Sequence, residues 1–261
     1  MRFACVGDNC IDIYQNLNSK YCGGNPVNVA VYVVRSGDTA SYIGAVGTDP
    51  HGQYMIDSLI AHGVDVSHVK ILPGETAKCY INLIDKERVF CGYQEGVLAD
   101  FQLTDEVINF IATHDIMVSG RWGNIHHQLS QIHSRGVPIA FDFATKLGDN
   151  VFEIAVEHVD YAFFSGDDDS PWVRDGLRSM CRRGVKLAVC TLGEHGSLAF
   201  DGIAFTHFGI VPCEVKDTMG AGDSYIAGFL HGIIRHMPVE KCMRMGAECS
   251  SIALQSYGAW S

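Results

Sequence analysis

The feature that most constrains this chain is the alternation of short apolar runs with longer segments of helical periodicity. The apolar runs predict strands at residues 2–7, 40–46, 115–118, 137–143, 160–164 and 186–191. Helices are predicted at residues 25–36, 52–62, 104–113, 126–135, 151–158, 172–183, 222–235 and 239–257. Strands and helices in alternation build right-handed βαβ units around a mainly parallel sheet that is covered on both faces. We therefore predict an α/β fold with three layers.

Residues 69–98 interrupt this alternation. Residues 77–84 and 88–93 predict two strands joined across residues 85–87, with no helix between them. We interpret this insertion as a small β lid on the main sheet, too short to fold alone. A second hairpin is predicted around Asp201-Gly202, with strands at residues 197–200 and 203–208. No low-complexity linker divides the chain, so residues 1–261 are expected to form one domain.

Charge and composition argue against several classes of protein. The 19 Lys and Arg residues against 30 Asp and Glu give a formal net charge of −11, which repels the phosphates of nucleic acids. No run approaches the roughly 20 apolar residues of a membrane span, and the N-terminus lacks the apolar core of a signal peptide. The ten cysteines contain no CxxC pair, which predicts reduced thiols. We expect a cytoplasmic protein with no nucleic-acid or membrane partner.

The segment richest in chemistry is residues 217–223, Asp-Thr-Met-Gly-Ala-Gly-Asp, which directly precedes an apolar helical stretch. Its glycines allow a tight loop whose N–H groups converge with the positive end of the helix. The N–H groups of Gly220, Ala221 and Gly222 are therefore predicted to form an anion hole suited to phosphoryl transfer. Asp223, at its rim, is the candidate base for an attacking hydroxyl. The alternative is that Asp223 only caps the helix.

Two further glycine-containing segments predict ligand contacts. Gly23 and Gly24 let a hydroxylated ligand approach the backbone, and Asn28, one turn into the following helix, offers a sugar both a donor and an acceptor. The same segment also predicts a helix start, with Asn25 as cap and Pro26 after it. Residues 191–197, Thr-Leu-Gly-Glu-His-Gly-Ser, follow a buried strand, where open α/β sheets bind ligands. A turn into the hairpin explains this last segment equally well.

Taken in chain order, the segments that begin at residues 23, 191 and 217 resemble the GGxxxNxA, TLGxxG and DTxGAGD motifs of the PfkB carbohydrate kinase family, also called the ribokinase family. The resemblance implies a ribokinase-like sandwich, phosphorylation of a small-molecule sugar by ATP, and Mg²⁺ as cofactor. It also implies a monovalent cation such as K⁺ near Asp217 and a homo-oligomer formed through the lid. The nucleotide contacts that it implies are Thr191, Gly193, Gly196 and Ala247.

Two acidic positions are interpreted through the same resemblance. In the family, an aspartate at the Asp12 position holds substrate hydroxyls; the alternative is an exposed aspartate in a turn. Where many members have an NxxE motif that helps to place magnesium, this chain has Ser-Gly-Asp-Asp at residues 165–168. Asp168 is the candidate replacement, with a shorter reach. The alternative is a solvated acidic loop that caps the next helix.

A narrower resemblance covers residues 8–14, 88–90, 93–97, 99–101, 140–143 and 257–260. These stretches are similar to those of family members that phosphorylate the 6-hydroxyl of fructoselysine, an Amadori compound. For such an acceptor, Trp122 and Asn124 are candidates to line the pocket, and Glu95, in the lid, is a candidate partner for an ammonium group. Buried packing is the alternative for Trp122. Other acceptors stay open, namely fructose, ribose and 2-keto-3-deoxygluconate, as does a sugar-binding relative that has lost catalysis.

Overall fold

The structure is a computed structural model that describes residues 1–84 and 87–260. Its strands are β1 (Arg2–Val6), β2 (Cys10–Tyr14), β3 (Ser19–Gly23), β4 (Thr39–Ile43), β5 (Ala45–Gly47), β6 (Lys70–Leu72), β7 (Lys78–Ile84), β8 (Glu87–Gln94), β9 (Ile116–Gly120), β10 (Ile139–Asp142), β11 (Tyr161–Ser165), β12 (Leu187–Thr191), β13 (Ser197–Phe200) and β14 (Phe205–Phe208). Its helices are α1 (Asn25–Arg35), α2 (Pro50–Ala61), α3 (Asp105–Ile111), α4 (Leu129–His133), α5 (Asn150–Ala155), α6 (Pro171–Arg182), α7 (Ala221–Ile233) and α8 (Val239–Ala253).

The main sheet has the strand order β14-β13-β12-β11-β10-β9-β1-β4. The strands from β4 to β12 in this order are parallel, and β13 and β14 add an antiparallel edge. Because parallel strands end at the same edge of a sheet, the segments that follow β1, β9, β10, β11 and β12 lie side by side. We call this edge the carboxyl edge; ligands bind at such edges in open α/β sheets.

Helices cover both faces of the main sheet, as the alternation predicts. Phe3 and Phe163 belong to a buried cluster with apolar residues of α1, α2, α7 and α8. Ala4 and Phe164, the next residues along the same strands, belong to a second cluster with residues of α3, α4, α5 and α6. Successive residues of a strand point to opposite faces, so these clusters are the two interfaces of a three-layer sandwich.

A second, smaller sheet has the order β3-β2-β7-β8, and we call it the small sheet. Residues 69–98 supply β7 and β8, as predicted, although part of the predicted turn at residues 85–87 lies outside the described residues. The other two strands come from residues 10–23 and were not predicted, because polar residues such as Asp12 and Lys20 interrupt their apolar pattern. The pair β2-β3 joins the pair β7-β8 because β2 pairs in parallel with β7.

The expectations about thiols and membrane spans have clear outcomes. All ten cysteines are free, and Cys91 is exposed, whereas the others are buried or half-buried. Within residues 1–84 and 87–260, every helix is too short or too polar to cross a bilayer.

Candidate active site

Asp223 lies in the first turn of α7, where two asparagines of α1 hold its carboxylate. Asn28 Nδ2 donates to Asp223 Oδ2 at 2.6 Å, and Asn25 Nδ2 donates to Asp223 Oδ1 at 2.7 Å. The structure therefore brings together the predicted base and the predicted sugar contact Asn28, which are 195 residues apart in sequence. The role of Asn25 was missed, because the sequence pattern marked it only as the helix start.

The orientation of Asn28 is set by the indole of Trp260. Trp260 Nε1 donates to Asn28 Oδ1 at 2.8 Å. Because an indole N–H can only donate, the amide oxygen of Asn28 must face Trp260, and its Nδ2 must face Asp223. Only 2% of Asn28 is exposed, so water does not compete for this amide. Trp260 was not identified from the sequence; its signal was its place in the narrower resemblance, at residues 257–260.

The loop before α7, the predicted anion hole, is tightly packed at Gly220 and open at Gly222. Gly220 has φ 72°, and a Cβ there would lie 2.6 Å from the Cβ of Ala259, so only glycine fits. At Gly222, in contrast, an added Cβ would meet no atom within 4 Å. Ala221 N–H donates to Thr218 O at 3.4 Å, a long hydrogen bond that a phosphate oxygen can replace. The first turn of α7 thus faces open space at Gly222.

Asp217 is fully buried and connects this loop to both ends of the chain. Its Oδ2 accepts hydrogen bonds from Tyr14 Oη at 2.6 Å and from Gly258 N at 2.9 Å, and its Oδ1 accepts one from Met219 N at 3.0 Å. These three donors occupy most of the carboxylate's acceptor sites. The geometry therefore supports a positioning role for Asp217, and its place near a monovalent cation stays a prediction.

Two further carboxylates, the buried Asp8 and the half-buried Asp142, lie beside Asp223. Asn25 Nδ2 also donates to Asp142 Oδ2 at 3.0 Å, and Asn25 N donates to Asp8 Oδ2 at 3.2 Å. Burial first, and then the charge of Asp223, raise the pKa of Asp142 to about 7. Burial, and after it the charge of Asp223, raise the pKa of Asp8 to about 6 against the opposing bond from Asn25 N–H. Both positions were missed, although both stand at the carboxyl edge, where ligands are expected.

The predicted sugar contacts at residues 12–24 also converge. Asp12 is buried in β2, with 3% of its surface exposed, so it is not an exposed turn residue. A Cβ at Gly23 would lie 2.1 Å from Asp12 Oδ2, so the glycine makes room for the carboxylate. Gly24 has φ 114° and its backbone lies against Asn9. That Asp12 binds substrate hydroxyls stays a prediction.

Trp122 and Glu95 lie at the exposed rim of the site. Trp122 follows β9 at the carboxyl edge and is 56% exposed, so it is not a buried packing residue. The guanidinium of Arg121 lies 5.0 Å from the centre of its ring. Glu95 is exposed directly before a 3-10 turn at Gly96–Asp100, and Asn124 Nδ2 donates to Ala99 O in that turn at 3.4 Å. Both residues stay candidates for contact with an extended acceptor.

The predicted nucleotide contacts lie at the end of β12, in the turn after it and in α8, and both segments are hydrogen-bonded to α7. Thr191 ends β12, and its hydroxyl lies 2.9 Å from that of Ser165, at the end of β11. Gly193 and Gly196 both have positive φ in the turn that follows. Tyr225 of α7 donates to Ser197 Oγ at 2.8 Å, and Ser250 of α8 donates to Ala221 O at 2.7 Å. Ala247, one turn before Ser250 in α8, is buried.

Asp168 stands at a cavity of about 230 Å³. The cavity is lined by Thr145, Ser165, Gly166, Asp167, Asp168, Ser170, Trp172 and Val173. Ser170, rather than Asp168, caps α6, because its hydroxyl accepts from Val173 N. Exposed carboxylates beside a cavity suit Mg²⁺, which keeps several waters and takes few protein ligands. In the described part of the chain, no three His, Cys, Asp or Glu residues are grouped so that they could hold a metal ion.

Comparisons with known proteins agree on the family. The model of the pfkB family carbohydrate kinases matches residues 4–261. The fructoselysine 6-kinase of Shigella flexneri is 41% identical over 257 residues, which are 98% of this chain and 98% of the relative. The fructosamine kinase FrlD of Bacillus subtilis (strain 168) is 33% identical over 267 residues, covering 100% of this chain and 93% of the relative.

A solved structure agrees on the fold. The ribokinase of Arabidopsis thaliana, solved with ribose and ATP, superposes with a TM-score of 0.86 at 20% identity, covering 98% of this chain and 93% of that one. The similarity includes the mainly parallel sheet and its flanking helices, and it confirms the predicted ribokinase-like sandwich.

Proposed function

Since this chain belongs to the pfkB family of carbohydrate kinases, we propose that it transfers the γ-phosphoryl group of ATP to the 6-hydroxyl of fructoselysine. It is an ATP-dependent sugar kinase, and the acceptor is supported by relatives at 41% and 33% identity that are named for fructosamine substrates. The observation that carries the chemistry is the carboxylate of Asp223, fixed by two amides beside the open first turn of α7.

Asp223 acts as the general base in this mechanism. Its carboxylate accepts the proton of the 6-hydroxyl while the new O–P bond forms and the bond between the γ-phosphorus and the bridging oxygen of ATP breaks. The N–H groups of Gly220, Ala221 and Gly222 hold the charge that develops on the transferred group. Asn25 and Asn28 keep the carboxylate in place, so the hydroxyl meets the base in one orientation.

The ends of β11 and β12, beside this loop, would hold ATP. We assign Thr191, Gly193, Gly196 and Ala247 to its binding, because Tyr225 and Ser250 connect their segments to the loop before α7. Asp168 is the carboxylate assigned to Mg²⁺, which, when bound, neutralises part of the phosphate charge. Asp217 is assigned to the neighbourhood of a monovalent cation such as K⁺.

The small sheet serves as the lid over the sugar. Asp12, Gly23 and Gly24 lie on it or at its end, and its closure excludes water that would otherwise accept the phosphoryl group. Its strands β7 and β8 expose the apolar side chains of Ile84, Val89 and Phe90, which supports a homo-oligomer through the lid. We place this single-domain enzyme in the cytoplasm, which agrees with its ten free cysteines.

The test is a panel of acceptors incubated with ATP and Mg²⁺. We expect release of ADP with fructoselysine at a kcat/KM well above that with fructose, ribose or 2-keto-3-deoxygluconate. Phosphorus NMR of the product should locate the ester on the 6-hydroxyl. A higher kcat/KM with another sugar would reject fructoselysine as the acceptor. ATP hydrolysis that no sugar stimulates would instead favour a sugar-binding relative without transfer activity.

A further inference from the structure

We propose that Asp8 and Asp142 form a recognition site for the secondary ammonium group that joins the sugar of an Amadori compound to its amino acid. The inference rests on the proposed function and deepens it, because it names the residues that separate a fructosamine from a neutral sugar. Attachment of an amine to carbon 1 of fructose leaves a secondary amine, which is protonated at neutral pH.

The pocket beside Asp223 has more hydrogen-bond acceptors than donors. Asp8 Oδ1 and Asn25 Oδ1 are buried and accept no hydrogen bond, although Asn25 Nδ2 lies between the carboxylates of Asp142 and Asp223. Asp8 is only 7% exposed, so water does not readily serve its free oxygen. Burying acceptors without donors is unfavourable, which indicates that a ligand supplies the donors. A hydroxylated ammonium ion supplies both hydroxyl and N–H donors.

The charge of the pocket favours a cation. Among the described residues, no Lys, Arg or His nitrogen lies within 4 Å of the carboxylate of Asp8 or Asp142. The positive charge of Arg121 lowers the pKa of Asp142, but Arg121 Nη2 is paired at 2.6 Å with Asp149. The described carboxylates are not grouped as metal ligands. An organic cation therefore fits this pair better than a metal ion.

The pocket lies within one sugar length of the reacting group, as the amine on carbon 1 requires. Asn25 Nδ2 contacts both Asp223, which receives the 6-hydroxyl, and Asp142, so the second carboxylate is within one sugar length of the reacting group. Asp142 also accepts from Ala144 N–H at 2.9 Å, which fixes its side chain. Glu95 is exposed at the rim and suits the distant α-ammonium of the lysine part.

Ionisation of the pair links binding to pH. The titratable and charged groups that face the two carboxylates are Asp223, Arg121, Tyr93, Cys10 and Tyr42. The pKa values of about 6 for Asp8 and about 7 for Asp142 mean that both lose charge as the pH falls below neutrality. Binding of a cationic acceptor should therefore weaken from pH 7.5 to pH 5.5, whereas binding of fructose should change little.

The test compares two acceptors that differ only at carbon 1: fructose, with a hydroxyl there, and 1-deoxy-1-(butylamino)fructose, with a secondary amine and no α-ammonium or α-carboxylate. Calorimetric Kd values and kcat/KM values are measured for the wild type, Asp8→Asn, Asp142→Asn and the rim variant Glu95→Gln. The matched control is Asp175→Asn, which changes an exposed carboxylate of α6 and should keep the Kd values of the wild type. We expect both aspartate variants to reduce the preference for the amine about 10- to 100-fold, as loss of a hydrogen bond to a charged group does. Glu95→Gln should keep that preference.

Binding and turnover separate the two proposals. An unchanged ratio of Kd values in both aspartate variants, or fructosamine binding that does not depend on pH in the wild type, overturns the recognition site. If 1-deoxy-1-(butylamino)fructose is not phosphorylated, but the ratio of Kd values still depends on Asp8 and Asp142, the proposed function is rejected and the recognition site is retained. If only Glu95→Gln loses the preference for 1-deoxy-1-(butylamino)fructose over fructose, the secondary ammonium group binds Glu95 at the rim, and the proposal is overturned.

Discussion

Substitution of Asp223 by Asn should slow transfer strongly and at the same time change how stability depends on pH. Removal of a general base lowers kcat by about 10²- to 10⁴-fold. The new amide also places an N–H group against the donating amides of Asn25 and Asn28, so one of the two hydrogen bonds is lost. That loss costs about 1 to 3 kcal/mol at any pH.

The pH-dependent part arises from Asp8 and Asp142. Unfolded, both ionise near their ordinary pKa of 3.8, but folded they keep their protons up to about pH 6 and about pH 7. The folded state thus binds more protons in this window, and the free energy of unfolding falls as the pH rises from about 4 to about 7. Removal of the charge of Asp223 lowers both pKa values, so the fall becomes smaller.

The size of this effect follows from the pKa change. One pKa unit corresponds to about 1.4 kcal/mol, so each unit by which the substitution lowers the pKa of Asp8 or Asp142 reduces the loss of stability between pH 4 and pH 8 by about 1.4 kcal/mol. Urea unfolding of both proteins at several pH values, with ADP release measured in parallel, checks the prediction. Equal slopes of stability against pH, or near-normal turnover, would refute the reasoning.

Two further substitutions test the groups around the base. Gly222→Ala adds a methyl group where no atom lies within 4 Å, so the melting temperature should be unchanged or higher. The kcat/KM for ATP should fall at least tenfold, because the methyl group enters the anion hole. Normal kinetics would contradict the location of the hole at Gly222. Trp260→Phe removes the donor to Asn28 Oδ1 and should lower kcat about tenfold and the free energy of unfolding by about 1 kcal/mol. A kcat at the wild-type value would show that Trp260 does not set the orientation of Asn28.

The layers of the fold were predictable because they follow from local periodicity. The buried strands β9 to β12 and the helices between them appear in the sequence as uninterrupted apolar runs and helical repeats. β2 and β3 were not predictable in this way. They carry Asp12 and Lys20, and their stability comes from pairing with each other and, for β2, with β7, more than 60 residues later in the chain.

In the candidate site, too, the residues in a local sequence pattern were predictable and those that depend on distant partners were not. The loop at residues 217–223 was recognisable, because glycines and an acidic residue before an apolar helix form a local pattern. Asp8, Asp142 and Trp260 have no local pattern, since each matters through a partner far away in sequence. The position of Asp8 and Asp142 after strands was the available signal, and it becomes specific only when the strand order is known.

The bond between Trp260 and Asn28 joins residues 232 apart, and the bond between Tyr14 and Asp217 joins residues 203 apart. Contacts of such long range require the closure of nearly the whole polypeptide, so we expect them to form late in folding. A chain in which the sheet and most helices have already assembled would still lack an oriented amide beside its base. Catalytic competence would then appear as the last event of maturation, after bulk compaction.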